Sequence, residues 1–275
     1  MTEGVPPLPE DGPALVGGVP LPAGQRIYGW DEDSGDIECP AAWVTSRPMA
    51  DAGYAWLALS DAHPLTGLVP VLLSRADNME GISGEAFMCS GPKDVGLIDS
   101  MSAAAVLAMG WDIDDEDDFN AYMAQKRAPF GREFPGLAPP QQERLSMAEL
   151  HRAVATEQSA FLALVAARRA ADVPAAVGWT GFGVDAPGSP EARCLEVATV
   201  LRSWQARFGA RPLRIGSDMI LRVLVERPPG TLKAATQVAA EHLAFADEYG
   251  RYSGQPIRDL AAELLGQPIW HFWWD

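Results

Sequence analysis

Four histidines, three cysteines and nine tryptophans carry most of the chemistry open to this chain. His63, His151, His242 and His271 are scattered, with no metal-ligand spacing between them. His242 stands out because it follows Glu241 in "AAEHLAFADEYG". On a helix, Ala235, Val238, Ala239, His242, Ala246 and Tyr249 fall on one stripe. That turns His242 toward the core or a cleft beneath the helix, and leaves Glu241 beside the stripe, facing solvent. Two readings stand for His242: a hydrogen-bonded core histidine, or a general base or ligand tuned by burial.

The chain closes on "PIWHFWWD". Read as a strand, Trp270, Phe272 and Trp274 point one way, and His271, Trp273 and Asp275 the other. Each large ring buries about 150–250 Å², so a strand with aromatics on both sides wants cover on both sides. A core strand is one reading. A stacking platform for a sugar, a base or a Pro-rich peptide is the other, with Trp273 as its ring because it shares a face with His271. A pocket built from polar groups among aromatics would draw on Trp179, His242, His271 and Trp273.

Other chemistry-bearing patterns are weaker. The acid run Asp112, Asp114, Asp115, Glu116, Asp117 and Asp118 invites a metal reading. An EF-hand loop begun at Asp112 reaches Met123 at its twelfth position, and one begun at Asp114 reaches Gln125; neither supplies the bidentate carboxylate. Acids in the first turn of a helix explain the run without a metal, so no metal site is expected. "GWTGFGVDAPG" holds Gly178, Gly181 and Gly183 but does not fit G-x-G-x-x-G. There is no P-loop, H-E-x-x-H or G-x-S-x-G, and no cofactor is expected. Cys39, Cys89 and Cys194 are far apart and form no C-x-x-C pair, which favours reduced, buried thiols over a disulfide framework.

The elements that must position these residues read as follows. Residues 1–25 are rich in Pro and Gly and predict an irregular lead-in with one short strand. "AAWVTS" and "GLVPVLLS" predict strands, with a helix between them capped by Asp51 and stopping before Pro64. Residues 99–111 predict a helix, and a second runs to about Arg127. "FPGLAPPQQERLSM" has three prolines and little periodicity, and reads as a linker. This divides the chain into an acidic α/β region at 1–133, a Pro-rich linker at 134–147 and an α+β domain at 148–275.

In that last part "AFLALVAAR" is apolar throughout and predicts a strand buried on both faces. A helix opened by Ser189-Pro190 carries Cys194, Val197, Ala198, Leu201, Trp204 and Phe208 as one stripe, with Glu196, Arg202 and Arg207 off it. Residues 211–229 predict a hairpin about Gly216-Ser217-Asp218. Thr231 caps a helix to about Tyr249, Pro256 opens another stopped by Gly266, and the terminal strand follows. The order β-α-α-β-β-α-α-β predicts an α+β fold, a mixed sheet covered by helices.

Charge narrows the function. The net charge is −16, and all the excess lies in residues 1–150, which hold 24 acidic and 8 basic residues; residues 151–275 hold 13 of each. A partner with the polyanion chemistry of nucleic acid or an anionic membrane needs a basic footprint, so both are disfavoured. A basic protein partner is allowed, by electrostatic steering. Residues 1–25 show no signal peptide and no apolar stretch is long enough to span a bilayer, so a cytoplasmic protein is expected.

Residues 148–275 resemble the DUF4253 family, a domain of unknown function found largely in actinobacteria. The resemblance rests on "AVGWTG" (176–181), "LRSWQARFGA" (201–210), "AAEHLAF" (239–245) and "FWWD" (272–275), in that order over roughly 110 residues. Gln205 stands where many relatives carry an acid. "AWVTSRP" and "FPGLAPP" look like stretches that precede the domain in longer members. The resemblance implies a fold in which the Trp-rich end is integral, and brings no activity. The functional expectation is therefore a non-catalytic protein-binding module, possible in an immunity or toxin-neutralising form, using the acidic half against a basic partner. The alternative is a small-ligand binder or hydrolase-type enzyme with a site near His242 and the C-terminal strand. The sequence leaves the oligomeric state open.

Overall fold

The computed structural model describes residues 6–31, 35–73, 90, 92–112, 121–181, 190–216, 219–246 and 255–274. The apolar runs become strands buried on both faces. β4 (Leu68–Leu73) and β5 (Phe161–Ala166) alternate sides: Val69, Val71, Ala163 and Val165 enter one core, and Leu68, Leu72, Leu162 and Leu164 the other. A strand covered on both sides needs no polar alternation, which is why these segments read as continuous apolar runs.

The remaining strands are β1 (Gly12–Val16), β2 (Val19–Asp31), β3 (Gly35–Thr45), β6 (Ala210–Ile215), β7 (Ile220–Val225) and β8 (Ile269–Trp273). They form one mixed sheet in the order β1-β2-β3-β5-β4-β6-β7-β8. β4 and β6 pair in parallel; the other neighbours are antiparallel. β5 lies between β3 and β4, so the chain on both sides of the Pro-rich 134–147 stretch feeds the same sheet.

The helices are α1 (Ala52–Thr66), α2 (Ala103–Trp111), α3 (Ala121–Lys126), α4 (Met147–Val154), α5 (Val173–Val177), α6 (Pro190–Phe208), α7 (Leu232–Ala246) and α8 (Ile257–Leu264). α2, α5, α6, α7 and α8 pack on one side of the sheet around Trp204, and α1 and α4 on the other around Trp56. The expected α+β fold and its β-α-α-β-β-α-α-β order from residue 161 onward are what the structure has. Among the described residues no helix is long and apolar enough to cross a membrane.

Expectations change in the N-terminal half: α2 begins only at Ala103, capped by Ser102 and not at residue 99, and Asp51 makes no side-chain cap bond at the start of α1. The N-terminal lead-in is not irregular: β1 and β2 form a hairpin about Gly17-Gly18, with φ of 56° and 83°. Two successive left-handed residues make the tight turn that matches strand twist, and only Gly takes both without strain. A Cβ on Gly17 would also lie 2.3 Å from Ala62 Cβ. α1 does not stop before Pro64 but runs to Thr66. Pro64 removes one donor from the last turn, and the stop comes from left-handed Gly67, whose N–H reaches His63 O at 2.8 Å.

Candidate functional site

β8 is an edge strand of the sheet, paired with β7 in the register Ile220↔Trp273, Arg222↔His271 and Leu224↔Ile269. Its side chains divide as pleating requires. Trp270, Phe272 and Trp274 are buried among the helices, His271 is half-buried on the opposite face, and Trp273 is 36% exposed there.

On the helical side the rings form one cluster. Trp204 of α6 stacks on Phe272 at 5.3 Å and meets Trp270 edge-on at 5.4 Å. His242 of α7 sits inside this cluster, 4.6 Å from Trp270, 4.7 Å from Phe272 and 5.3 Å from Trp204 by ring centroids. It is fully buried. The stripe placed it correctly, and what lies beneath the helix there is packed aromatic core. Trp179 is also fully buried; it lies 6.1 Å from Trp274 and donates Nε1 to Gly216 O at 3.3 Å. The four sequence-selected residues therefore lie on two sides of the sheet: Trp179 and His242 within the core, His271 and Trp273 on the other face.

Glu241 does not face solvent. Its side chain is completely buried. Its Oε1 accepts from Ala138 N at 2.6 Å and Arg207 Nη1 at 2.7 Å; its Oε2 accepts from Arg207 Nη2 at 2.6 Å and Trp204 Nε1 at 2.8 Å. Arg207, expected off the buried stripe, is 9% exposed and also donates to Ala138 O at 2.8 Å. A buried carboxylate survives only when paired and hydrogen-bonded, and this one has four donors around it. Those donors occupy both oxygens, two to each, so the carboxylate serves as the acceptor that ties α6, α7 and the Ala138 main chain together. The sequence signal was thin: Arg207 is three residues past Trp204 and so leans toward the same helix face.

The open face of β7–β8 holds a second ion cluster. Arg214, Arg222 and His271 are register partners across β6, β7 and β8. Beneath them the buried Glu157 carboxylate accepts from Arg214 Nε at 3.0 Å and Nη2 at 2.6 Å through Oε2, and pairs with Arg222 through Oε1. Guanidinium groups, an imidazole and an exposed indole thus share one surface. This arrangement can bind by charge and stacking.

Cys194 is fully buried in the core. Cys89, the side chain of Cys39, Gly183 and the acid run beyond Asp112 lie outside the described residues. Among the described residues no group of three or more His, Cys, Asp or Glu is placed to hold a metal ion. A cavity of about 390 Å³ lies at the opposite edge of the sheet, beside β1, lined in part by Pro7, Pro9, Glu10, Asp11 and Thr66.

Residues 161–275 match the family model of a domain of unknown function (DUF4253). The match opens at the first residue of β5 and takes in the ring cluster, the Arg207–Glu241 pair and β8. No curated protein and no solved structure matches the chain.

Proposed function

We propose that this protein is a non-catalytic binding protein that takes a basic protein partner through the acidic excess of residues 1–150, as a toxin-neutralising protein would. One observation carries the reading: five arginines of the C-terminal half are tied to carboxylates of the same fold. Arg207 pairs with Glu241, Arg211 with Glu226, and Arg214 and Arg222 with Glu157. Arg202 pairs with Asp172 and Asp99. Burial works against the Arg202 charge, but hydrogen bonds and charge from Asp172, then Asp99, outweigh it and hold its pKa above the ordinary value. These five cations are thus engaged in the fold, while acids of residues 1–150 such as Asp51, Asp94, Glu133 and Glu143 are exposed. A negative field of this kind steers a cationic partner.

The test is affinity purification followed by titration of the recovered partner at low and high salt. The Debye length shrinks from about 10 Å at 0.1 M to about 3 Å at 1 M, so the affinity should fall steeply. A partner that is itself acidic, or an affinity indifferent to salt, contradicts the reading.

Exposed Trp273 beside His271 favours a second reading, a small ligand stacked on the open face of β8. Thermal melting against a panel of sugars, nucleotides and amino acids tests it, because a ligand at 100 times its dissociation constant adds about 2.7 kcal/mol. The reading requires the stabilisation to disappear in Trp273→Ala.

A further inference from the structure

Residues 134–146 cross the C-terminal domain as an extended strap between α3 and α4. Phe134 and Leu137 pack on the helical core, and Leu145 packs on the core of the opposite face. The strap therefore passes from one side of the sheet to the other, around the ends of β6 and β7. It is tied down mainly through its backbone. Both polar groups of Ala138 are held by one buried ion pair: its N–H by Glu241 Oε1 at 2.6 Å, its C=O by Arg207 Nη1 at 2.8 Å. Further along, Gln141 N reaches Arg207 O at 3.1 Å and Leu145 N reaches Glu226 O at 2.8 Å.

The clamp and its occupant belong to different parts of the chain. Glu241, Arg207 and Trp204 lie inside the family-matched residues 161–275, whereas the strap lies wholly outside them. The clamp reads main chain, so it selects an extended conformation more than a side chain. Ala138 is 1% exposed, which limits that position to a small residue. Pro139 and Pro140 follow it and are exposed, which fits a segment already extended before it docks.

We infer that the DUF4253-matching domain, with Trp111 of α2 completing the site of Phe134, carries a groove for an extended, proline-containing peptide, filled here in cis by residues 134–146 and able to release them. The groove recognises a segment with apolar residues at the positions of Phe134 and Leu137 and a small residue at the clamp. Main-chain capture with pockets for alternate side chains is an established mode of peptide recognition. This inference stands independently of the basic-partner reading.

Two measurements on the full chain test it. Hydrogen exchange of the wild-type protein compares the Ala138 amide with that of Val223 in β7. A releasable strap exposes the Ala138 amide by local opening, so it exchanges at least about tenfold faster than Val223. Exchange of both amides at one rate, set by global unfolding, overturns the inference. The second measurement uses Ala138→Pro, which removes the captured N–H and leaves Glu241, Arg207 and Trp204 in place. Trypsin should cut this variant faster at Arg144, and a labelled synthetic peptide of residues 133–146 should bind it while the wild type, already occupied, binds little. A folded Ala138→Pro protein that ignores the peptide overturns the inference; if that variant does not fold, the exchange comparison decides.

Discussion

Arg207 and Glu241 meet as a two-pronged ion pair, Nη1 to Oε1 at 2.7 Å and Nη2 to Oε2 at 2.6 Å, with side chains 10% and 0% exposed. The pair joins α6 to α7 and captures the 134–146 strap between them. Removing one partner strands the other charge in the core, a change that typically costs roughly 3–5 kcal/mol. Glu241→Ala should destabilise the protein by that order in urea unfolding, since Arg207, Trp204 Nε1 and Ala138 N all lose an acceptor. Arg207→Met combined with Glu241→Met should recover a good part of the loss, because an apolar pair leaves no buried charge. A single variant within about 1 kcal/mol of wild type is incompatible with this role for the pair.

The terminal tryptophans separate by face. Trp270 is fully buried between Trp204, Phe208 and His242, so Trp270→Ala removes ring contacts and leaves a cavity, at a cost of about 3–5 kcal/mol. Trp273 lies on the open face, and Trp273→Ala should cost less than about 1 kcal/mol. Chemical denaturation of the two variants side by side gives the comparison. Equal losses would mean that Trp273 is covered in solution.

Gly110 marks the close approach of α2 to α7. A Cβ there would lie 2.0 Å from Ala244 O, a backbone atom that cannot swing aside. Replacing Gly by Ala within a helix ordinarily gains roughly 0.5–1 kcal/mol, whereas forcing extra atoms into a packed contact costs roughly 1–3 kcal/mol. The clash outweighs the propensity, so Gly110→Ala should lower the melting temperature. A melting temperature above wild type would show that α2 shifts away freely.

These contrasts show what was legible in the sequence. The buried stripe of α6 and the alternation of Trp270, Phe272 and Trp274 follow from local periodicity, and both hold in the structure. The α+β order from β5 onward was legible for the same reason. Charge alone marks Arg207 and Glu241 as solvated positions; their burial depends on each other across 34 residues, which no local pattern reveals. The place of β5 between β3 and β4 is likewise a non-local choice. The Gly17-Gly18 hairpin differs in being a local feature. Its turn signal is present, flanked by Val16 and Val19, but the surrounding prolines suggested irregular chain. At β8 the two faces and their members were legible. The ring that closes over His242 from α6, Trp204, was not, because it comes from a separate element.

The start of α4 supplies a pH-dependent test. Glu149 accepts from Ser146 N at 2.8 Å and Ser146 Oγ at 2.6 Å, while Ser146 Oγ accepts from Glu149 N at 3.3 Å, a reciprocal capping box. The Ser146 side chain, then its backbone N–H, holds the Glu149 pKa below its ordinary value, with Arg152 adding to the effect and slight desolvation opposing it. A carboxyl with a lower pKa in the folded state stabilises above its unfolded pKa, and that contribution disappears as pH falls through the folded pKa. Wild type should therefore melt above Glu149→Gln at neutral pH. The gap should begin to close as pH drops below about 4.3, the ordinary Glu value, and be at its smallest once the wild-type carboxyl is protonated. Melting temperatures of both proteins from pH 7 to pH 3 provide the comparison. A gap that stays constant over that range would mean that the Glu149 charge adds nothing to the cap.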